Sequence, residues 1–416
     1  MGNSDIFVEW DTYAKRKKLH ARDINIDSII RNSSSKLIAI SGIRRSGKSS
    51  LLMLIAQHLS NNGEMVGYVN VEDSRISGSK TLLDDILKWF GDEGFLLLDE
   101  ITSAVDWEGW LARNHELLKG KLHIIVSSSV SLIKPSKPLR GRILNYEIFP
   151  LTLPEFLQFR NTQIEKTTAG KGRIERAMME YLKYGGFPEV ALTQDPTDKV
   201  RIIASYFKDI VGLDVADRSG QEISTVEMFG KYVVESTTFS ASKCLNFMKT
   251  LGYKIGKERI LQLEKYTQDG YLFFFVPIFS YNIKDKAQYP RKAYLGDLGF
   301  YYGITGKEDF GKTFENLVFL ELKRRFQDQA EIHYWKNASG LETDFVVKKG
   351  THIVEAVQVA YEITNDKTEK REIKGLVECV KSLKPDKYYI LTKDFSKTVV
   401  VDGIKIHFVP ISNWLL

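Results

Sequence analysis

Cysteine is nearly missing from this chain: two residues among 416, Cys244 and Cys379. That scarcity excludes a disulfide framework and a cysteine-built zinc site, and it predicts a reducing compartment. Long apolar runs are missing as well. None approaches the roughly 18–20 residues that span a bilayer, so no membrane is expected as a partner. The opening stretch MGNSDIFVEWDTYAKRKKLH lacks the apolar centre of a secretory leader, and a cytoplasmic location is the expectation. Nor is there a large charge of one sign. Lysine and arginine number 59 against 53 aspartate and glutamate, a formal net charge of +6, which permits a nucleic acid partner without requiring one. With 43% hydrophobic and 27% charged residues, disordered and collagen-like chains are excluded. The length suits about two to four domains.

What is present is concentrated first in KLIAISGIRRSGKSSLLMLIAQHL. Leu37 to Ile40 is an apolar run of the kind a buried parallel strand needs. Gly42, Ile43, Arg44, Arg45, Ser46, Gly47, Lys48 and Ser49 then match the phosphate-binding loop pattern, with Ser50 next in line. Leu51, Leu52, Leu54 and Ile55 follow at helical spacing. A loop between strand and helix is the context phosphate binding requires: glycines let backbone N–H groups wrap the phosphates, and the helix start adds partial positive charge. Lys48 is expected to reach the β and γ phosphates of ATP, and the Ser49 hydroxyl to ligate Mg²⁺.

A second apolar run, Gly94 to Leu98, ends in Asp99-Glu100. A strand buried in a sheet delivers such a pair beside the loop after the first strand. Asp99 is expected to hold the magnesium through water, and Glu100 to orient and deprotonate the attacking water. Leu122 to Val126 is a further strand, ending in Ser127-Ser128-Ser129, where Ser127 is the candidate sensor of the γ phosphate. Leu139-Arg140-Gly141-Arg142 lies in a polar loop, and Arg142 is a candidate to stabilise transition-state charge, in its own site or a neighbour's. The order of strands 37–41, 65–71, 95–99, 122–127 and 145–149 with helices 49–60, 80–90 and 107–118 predicts a parallel α/β sheet covered on both faces.

The strings LLLDEITSAVDWEGWL, IIVSSSVSLIKPSKPLRGRILNYEIFPLTLPEF and YGGFPEV resemble the archaeal and bacterial AAA+-like ATPases with a C-terminal DUF4143/DUF234-type domain. The family's Gly-Arg pair matches Gly141 and Arg142, its Pro-Leu and Glu-Phe signature Pro150-Leu151 and Glu155-Phe156, and its Gly-Gly-Phe-Pro turn Gly185 to Pro188. The strand with the sensor ends Thr-Gly-Ser in the family but Ser127-Ser128-Ser129 here. The resemblance spans nearly the whole chain and implies ATP hydrolysis and, through accessory domains, a link to DNA.

Four segments follow: a P-loop core, 1–152; a helical lid, 153–220; a winged-helix domain, 221–295; and a restriction-endonuclease-like α/β domain, 296–416. The third rests on three helical patterns followed by a hairpin, 270–276 with 291–295. Lys257, Arg259 and Lys265 on its last helix, and Lys284, Lys286, Arg291 and Lys292 on the hairpin, suit a helix in the major groove with a basic wing on phosphates. The last segment resembles the PD-(D/E)XK nuclease fold: helix, strand, Asp-bearing strand, strand. An active member would set a helix Glu, a strand Asp and a Glu-x-Lys on one metal. Glu315 and Asp344 match the first two, but Gln358 stands for the second Glu and Ala360 for the lysine. Glu355 could serve as the displaced carboxylate only with a register change that turns it to the other face, and a lysine such as Lys348 would have to be supplied from elsewhere. The expectation is a degenerate nuclease domain that binds DNA without cutting it. The function expected is a Mg²⁺-dependent ATPase that binds and remodels or processes DNA, with a homo-oligomer as an option. The alternative is a slowly hydrolysing, ATP-gated switch that binds DNA or a protein.

Overall fold

A strand buried on both faces must be apolar almost throughout, and β1 (Leu37–Ser41), β2 (Val66–Asn70), β3 (Gly94–Asp99) and β4 (Leu122–Ser128) are buried at nearly every position. In the computed structural model, which describes residues 3–132, 137–165, 167–282, 288–363 and 366–416, these strands and β5 (Ile143–Glu147) form one parallel sheet in the order β2-β3-β4-β1-β5. The chain divides into two compact units, Met1–Ile148 and Phe149–Leu416. The first therefore ends a few residues before the expected boundary at 152, and the other three expected segments fall in the second.

Alternation along β1 sorts the first core into two layers. Leu37 and Ala39 pack with α4 (Leu82–Phe90) and α5 (Trp107–Leu117); Ile38 and Ile40 pack with α3 (Lys48–Asn61) on the other face. Two helices that periodicity did not single out precede the sheet, α1 (Asn3–Arg16) and α2 (Ile26–Ser33). The first covers the edge strand β2: Asp11 accepts the Tyr68 N–H at 3.2 Å and Lys15 donates to the Val66 carbonyl at 2.9 Å.

The second unit opens with α6 (Leu153–Phe159), capped reciprocally by Thr152 and Glu155, then α7 (Thr168–Tyr184), α8 (Pro188–Leu192) and α9 (Pro196–Asp209), which continues as a π-helical turn to Ala216. Between α7 and α8 the Gly185-Gly186 turn folds onto a buried carboxylate: Asp297 accepts the N–H groups of Gly186 and Gly299, each at 2.8 Å. Any side chain at Gly185 would collide with it, and Gly185 has φ 78°. Next come α10 (Ile223–Glu235), β6 (Thr238–Phe239), α11 (Ala241–Thr250), α12 (Lys257–Asp269), β7 (Phe273–Val276) and β8 (Arg291–Leu295). Their strands make an antiparallel sheet in the order β6-β8-β7. Lys284 and Lys286, expected on the hairpin, lie outside the described residues.

After the short α13 (Gly299–Thr305) and the long α14 (Phe310–Phe326), a second sheet is laid down. β9 (Glu331–Lys336), β10 (Glu342–Lys349) and β11 (His352–Ala360) form an antiparallel meander. α15 (Asp366–Leu383) crosses to β12 (Lys387–Thr392), parallel to β11, and β13 (Lys397–Val401) with β14 (Ile404–Pro410) completes the order β13-β14-β12-β11-β10-β9. The pairing of β10 with β9 slips between Thr343 and Val346, and Asp344 sits in that irregularity. None of the described helices is long and apolar enough to cross a membrane.

Candidate nucleotide site and carboxylate cluster

β1 feeds the loop at residues 42–47, and α3 starts at Lys48. Gly42 leaves the strand so close to the end of β5 that a Cβ would stand 2.0 Å from the Ile148 carbonyl oxygen. Gly47 caps α3 with φ 98°, while Arg45 takes φ 70° without glycine's freedom. The unpaired N–H groups of the first turn of α3 therefore face the loop. Ser46 Oγ is buried with no hydrogen-bond partner among the described residues, and Arg22 donates to the Ser46 carbonyl at 2.8 Å. Ile43 is buried, Arg44 pairs with Glu72 at 3.6 Å, and Ser50 sits in the first turn of α3.

Because β4 lies between β1 and β3, the ends of all three strands meet at this loop. The buried Lys48 ammonium donates to the Ile43 carbonyl at 3.1 Å and lies 3.8 Å from Glu100 Oε1. Asp99 receives the Tyr68 hydroxyl from β2 at 2.8 Å, the Ser127 hydroxyl from β4 and the Ser49 hydroxyl from α3. Ser127 Oγ also accepts the Glu100 N–H at 2.9 Å. Glu100 then turns out of the strand with φ 53°, left-handed for a residue with a side chain. Ser129 holds both of its oxygens, through its N–H at 3.0 Å and its hydroxyl at 2.5 Å.

The two acids are driven apart electrostatically. Burial, then the neighbouring Glu100 charge, pushes Asp99 up, against the hydroxyls of Ser127, Ser49 and Tyr68. Burial pushes Glu100 up too, yet the Lys48 ammonium, the Ser129 donors and Arg44 together hold it below the ordinary carboxylate range. Backbone N–H groups, an orphaned hydroxyl, a lysine, a serine and a carboxylate fit a polyphosphate with a hard divalent cation. Ser127, expected as a phosphate sensor, hydrogen-bonds Asp99 and the Glu100 N–H. Tyr68 and Ser129 escaped sequence reasoning. Ser129 was signalled by the serine run, whereas Tyr68 stands in an apolar strand with no local signal.

Arg142 is not brought to this site. It precedes β5, whose register sets Ile143 opposite Leu37, the start of β1, while the loop leaves the other end. Its guanidinium donates to the Pro138 carbonyl at 3.0 Å and lies 3.6 Å from Glu116. The length of β1, roughly 16 Å, separates it from its own phosphate loop.

In the second unit α12 exposes Lys257, Arg259 and Lys265, with Arg259 donating to Gln221 at 3.1 Å. The hairpin residues correct the expectation. Arg291 is paired with Glu264 of α12, not left free for a phosphate. Lys292 is buried, with Nζ 3.0 Å from Glu315, 2.9 Å from Glu342 and 2.7 Å from Asp344. Glu315 and Asp344 thus do meet, and Glu342 joins them. Gln358 accepts the Asp344 N–H at 3.2 Å and donates to Glu372 at 2.5 Å. Glu355 is not the displaced carboxylate: Tyr389 donates to it, and Tyr389 accepts the Trp414 indole at 2.7 Å. Lys348 lies 3.7 Å from Glu331 instead. Burial pushes Asp344 up to about 7, with Lys292 opposing and Glu315 adding to the rise.

Three family models match the chain: an AAA domain over residues 34–157, the domain of unknown function DUF8612 over 175–310 and the domain of unknown function DUF4143 over 310–414. An uncharacterized protein of Methanocaldococcus jannaschii is 32% identical over 97% of this chain and 92% of its own length. An uncharacterized protein of Haemophilus influenzae is 26% identical over 96% of this chain and 99% of its own. Among solved structures, AMPPCP-bound DnaA from Aquifex aeolicus is 17% identical, covering 59% of this chain and 91% of that one, with a TM-score of 0.28.

Proposed function

The chain belongs to the family of AAA-domain ATPases that carry a C-terminal DUF4143 domain, and from that premise we propose that it is a Mg²⁺-dependent ATPase that binds and remodels or processes DNA. One observation carries the hydrolytic side of this reading: a buried Lys48 set against Glu100, with Asp99 and Glu100, two carboxylates of opposite tendency, side by side at the end of β3. Lys48 and the loop N–H groups meet the β and γ phosphates. Ser49 and Asp99 would hold Mg²⁺, which when bound neutralises charge building on the phosphate oxygens. Tyr68 and Ser127 keep Asp99 aimed. Glu100, kept ionised by Lys48 and Ser129, takes the proton of the attacking water.

DNA binding is supported by the exposed Lys257, Arg259 and Lys265 on α12, the last of three helices before a hairpin, which we read as a winged helix. The meander β9–β11 with its crossover α15 we read as a degenerate nuclease-like domain. The grip of Ser129 and Lys48 on both Glu100 oxygens favours a second reading, a nucleotide-gated switch in which Glu100 must be released before water is activated. ATP turnover measured alone and with single-stranded, double-stranded and branched DNA tests the choice. Hydrolysis raised by DNA is expected. Slow turnover that no DNA changes supports the switch, and no nucleotide binding at all sinks both.

A further inference from the structure

In enzymes that cleave phosphodiesters, converging carboxylates are held together by a divalent metal. Left alone they would repel, and burial would raise the cost. In the second unit the cation between Glu315, Glu342 and Asp344 is a side chain. Lys292 comes from β8 of the small antiparallel sheet, while its partners stand on α14 and β10. An ammonium has three donors, and three carboxylates lie within 3.0 Å of this one. The remaining capacity of the acids is largely taken: Tyr294 donates to Glu315 at 2.6 Å and the Val359 N–H to Asp344 at 2.9 Å. The lysine side chain is 9% exposed, so water does little to loosen the cluster. Among the described residues no group of three or more His, Cys, Asp or Glu is placed to hold a metal ion, the trio around this lysine included.

We propose that Lys292 is the resident cation of this cluster, a tethered substitute for a divalent metal that locks the small sheet to the C-terminal α/β layer. The cluster then has no affinity for Mg²⁺ or Mn²⁺ while the lysine is in place. This inference does not rest on the ATPase reading.

The test titrates the full-length chain with Mn²⁺, without nucleotide, in an Asp99→Asn background that removes the carboxylate of the phosphate-loop site. Bound metal is counted by calorimetry and by the paramagnetic resonance of free Mn²⁺. Protein retaining Lys292 is expected to show no uptake that Asp344→Asn abolishes. Lys292→Met, which keeps the alkyl stem and drops the charge, is expected to gain one Mn²⁺ per chain and to lose it again when Asp344→Asn is added. Uptake by the Lys292 protein that Asp344→Asn removes overturns the proposal, as does a folded Lys292→Met protein that gains none. Should Lys292→Met fail to fold, stability decides. Adding Asp344→Asn is then expected to restore a cooperative urea transition that Lys292→Met alone lacks, because fewer buried charges are left unpaired. A double variant that also lacks a transition, while Asp344→Asn alone shows one, counts against the lock.

Discussion

Glu100 is held from three directions, and each hold makes a separate claim on kinetics. Its ionised form faces Lys48 and accepts two bonds from Ser129. Glu100→Gln keeps the shape and removes the base, so ATP binding should persist while turnover falls by about 10²–10⁴-fold; Lys48→Ala should lose both, as read by nucleotide binding and phosphate release. A Gln variant turning over at the native rate means another group is the base. Ser129→Ala takes away the hydroxyl donor that lowers the Glu100 carboxyl and leaves the N–H donor, so its pKa rises. Activity that needs the ionised form is lost on acidification, so the acidic limb of the pH–rate profile should move to higher pH. A limb that stays in place shows that Ser129 does not set the charge of Glu100. At this scale the sequence spoke clearly where a motif exists: the 42–49 loop and Asp99-Glu100 are local patterns with their own chemistry. Tyr68 and Ser129 reach the acids across strand pairs, and spacing along the chain carries no trace of that.

Among the elements, the turn between α7 and α8 is held by a single buried acid. Asp297 accepts both the Gly186 and the Gly299 N–H, and burial raises it to about 7 against those bonds and the Arg324 charge. In the unfolded chain the same carboxyl ionises at about 4. The fold therefore binds a proton that the unfolded chain has released, and stability should fall as pH rises from about 4 to about 7. Asp297→Asn should flatten that slope in urea titrations; an unchanged slope assigns it to other groups. Gly185→Ala adds both a clash with Asp297 and a strained left-handed backbone, and should cost about 3 kcal/mol. The element order of the P-loop core was legible because parallel strands are apolar runs and helices keep their period. α1 escaped that reading. Ile6, Phe7, Trp10 and Ala14 do form a short apolar stripe that was open to reading, but the contacts of Asp11 and Lys15 with the backbone of β2 leave no mark in the sequence.

For the whole molecule, the position of Arg142 at the far end of β1 turns a catalytic question into one of assembly. If the guanidinium acts at all, it acts in another copy. Mixing Arg142→Ala with Lys48→Ala subunits should then restore some of the ATPase rate, and no recovery in a demonstrably mixed oligomer excludes the role. DNA affinity, expected to rest on phosphates, should drop steeply with salt, and charge reversal at Lys257 and Arg259 should weaken it more than reversal at Lys17 and Lys18 in filter-binding or anisotropy titrations. The hairpin was the hardest region to read. Arg291 and Lys292 look like a basic wing in one dimension, yet Arg291 pairs with α12 and Lys292 reaches Asp344 across 52 residues of chain. Charge is legible in a sequence, but its destination is not. The ion cluster also constrains heredity. A recombination joint between residues 295 and 296 would separate the cation from its three anions, leaving a buried lysine in one parent's fragment and a repelling trio in the other's. Exchange of the C-terminal segment between relatives should succeed only when β8 travels with it, so that the natural unit of inheritance is longer than the C-terminal α/β layer alone.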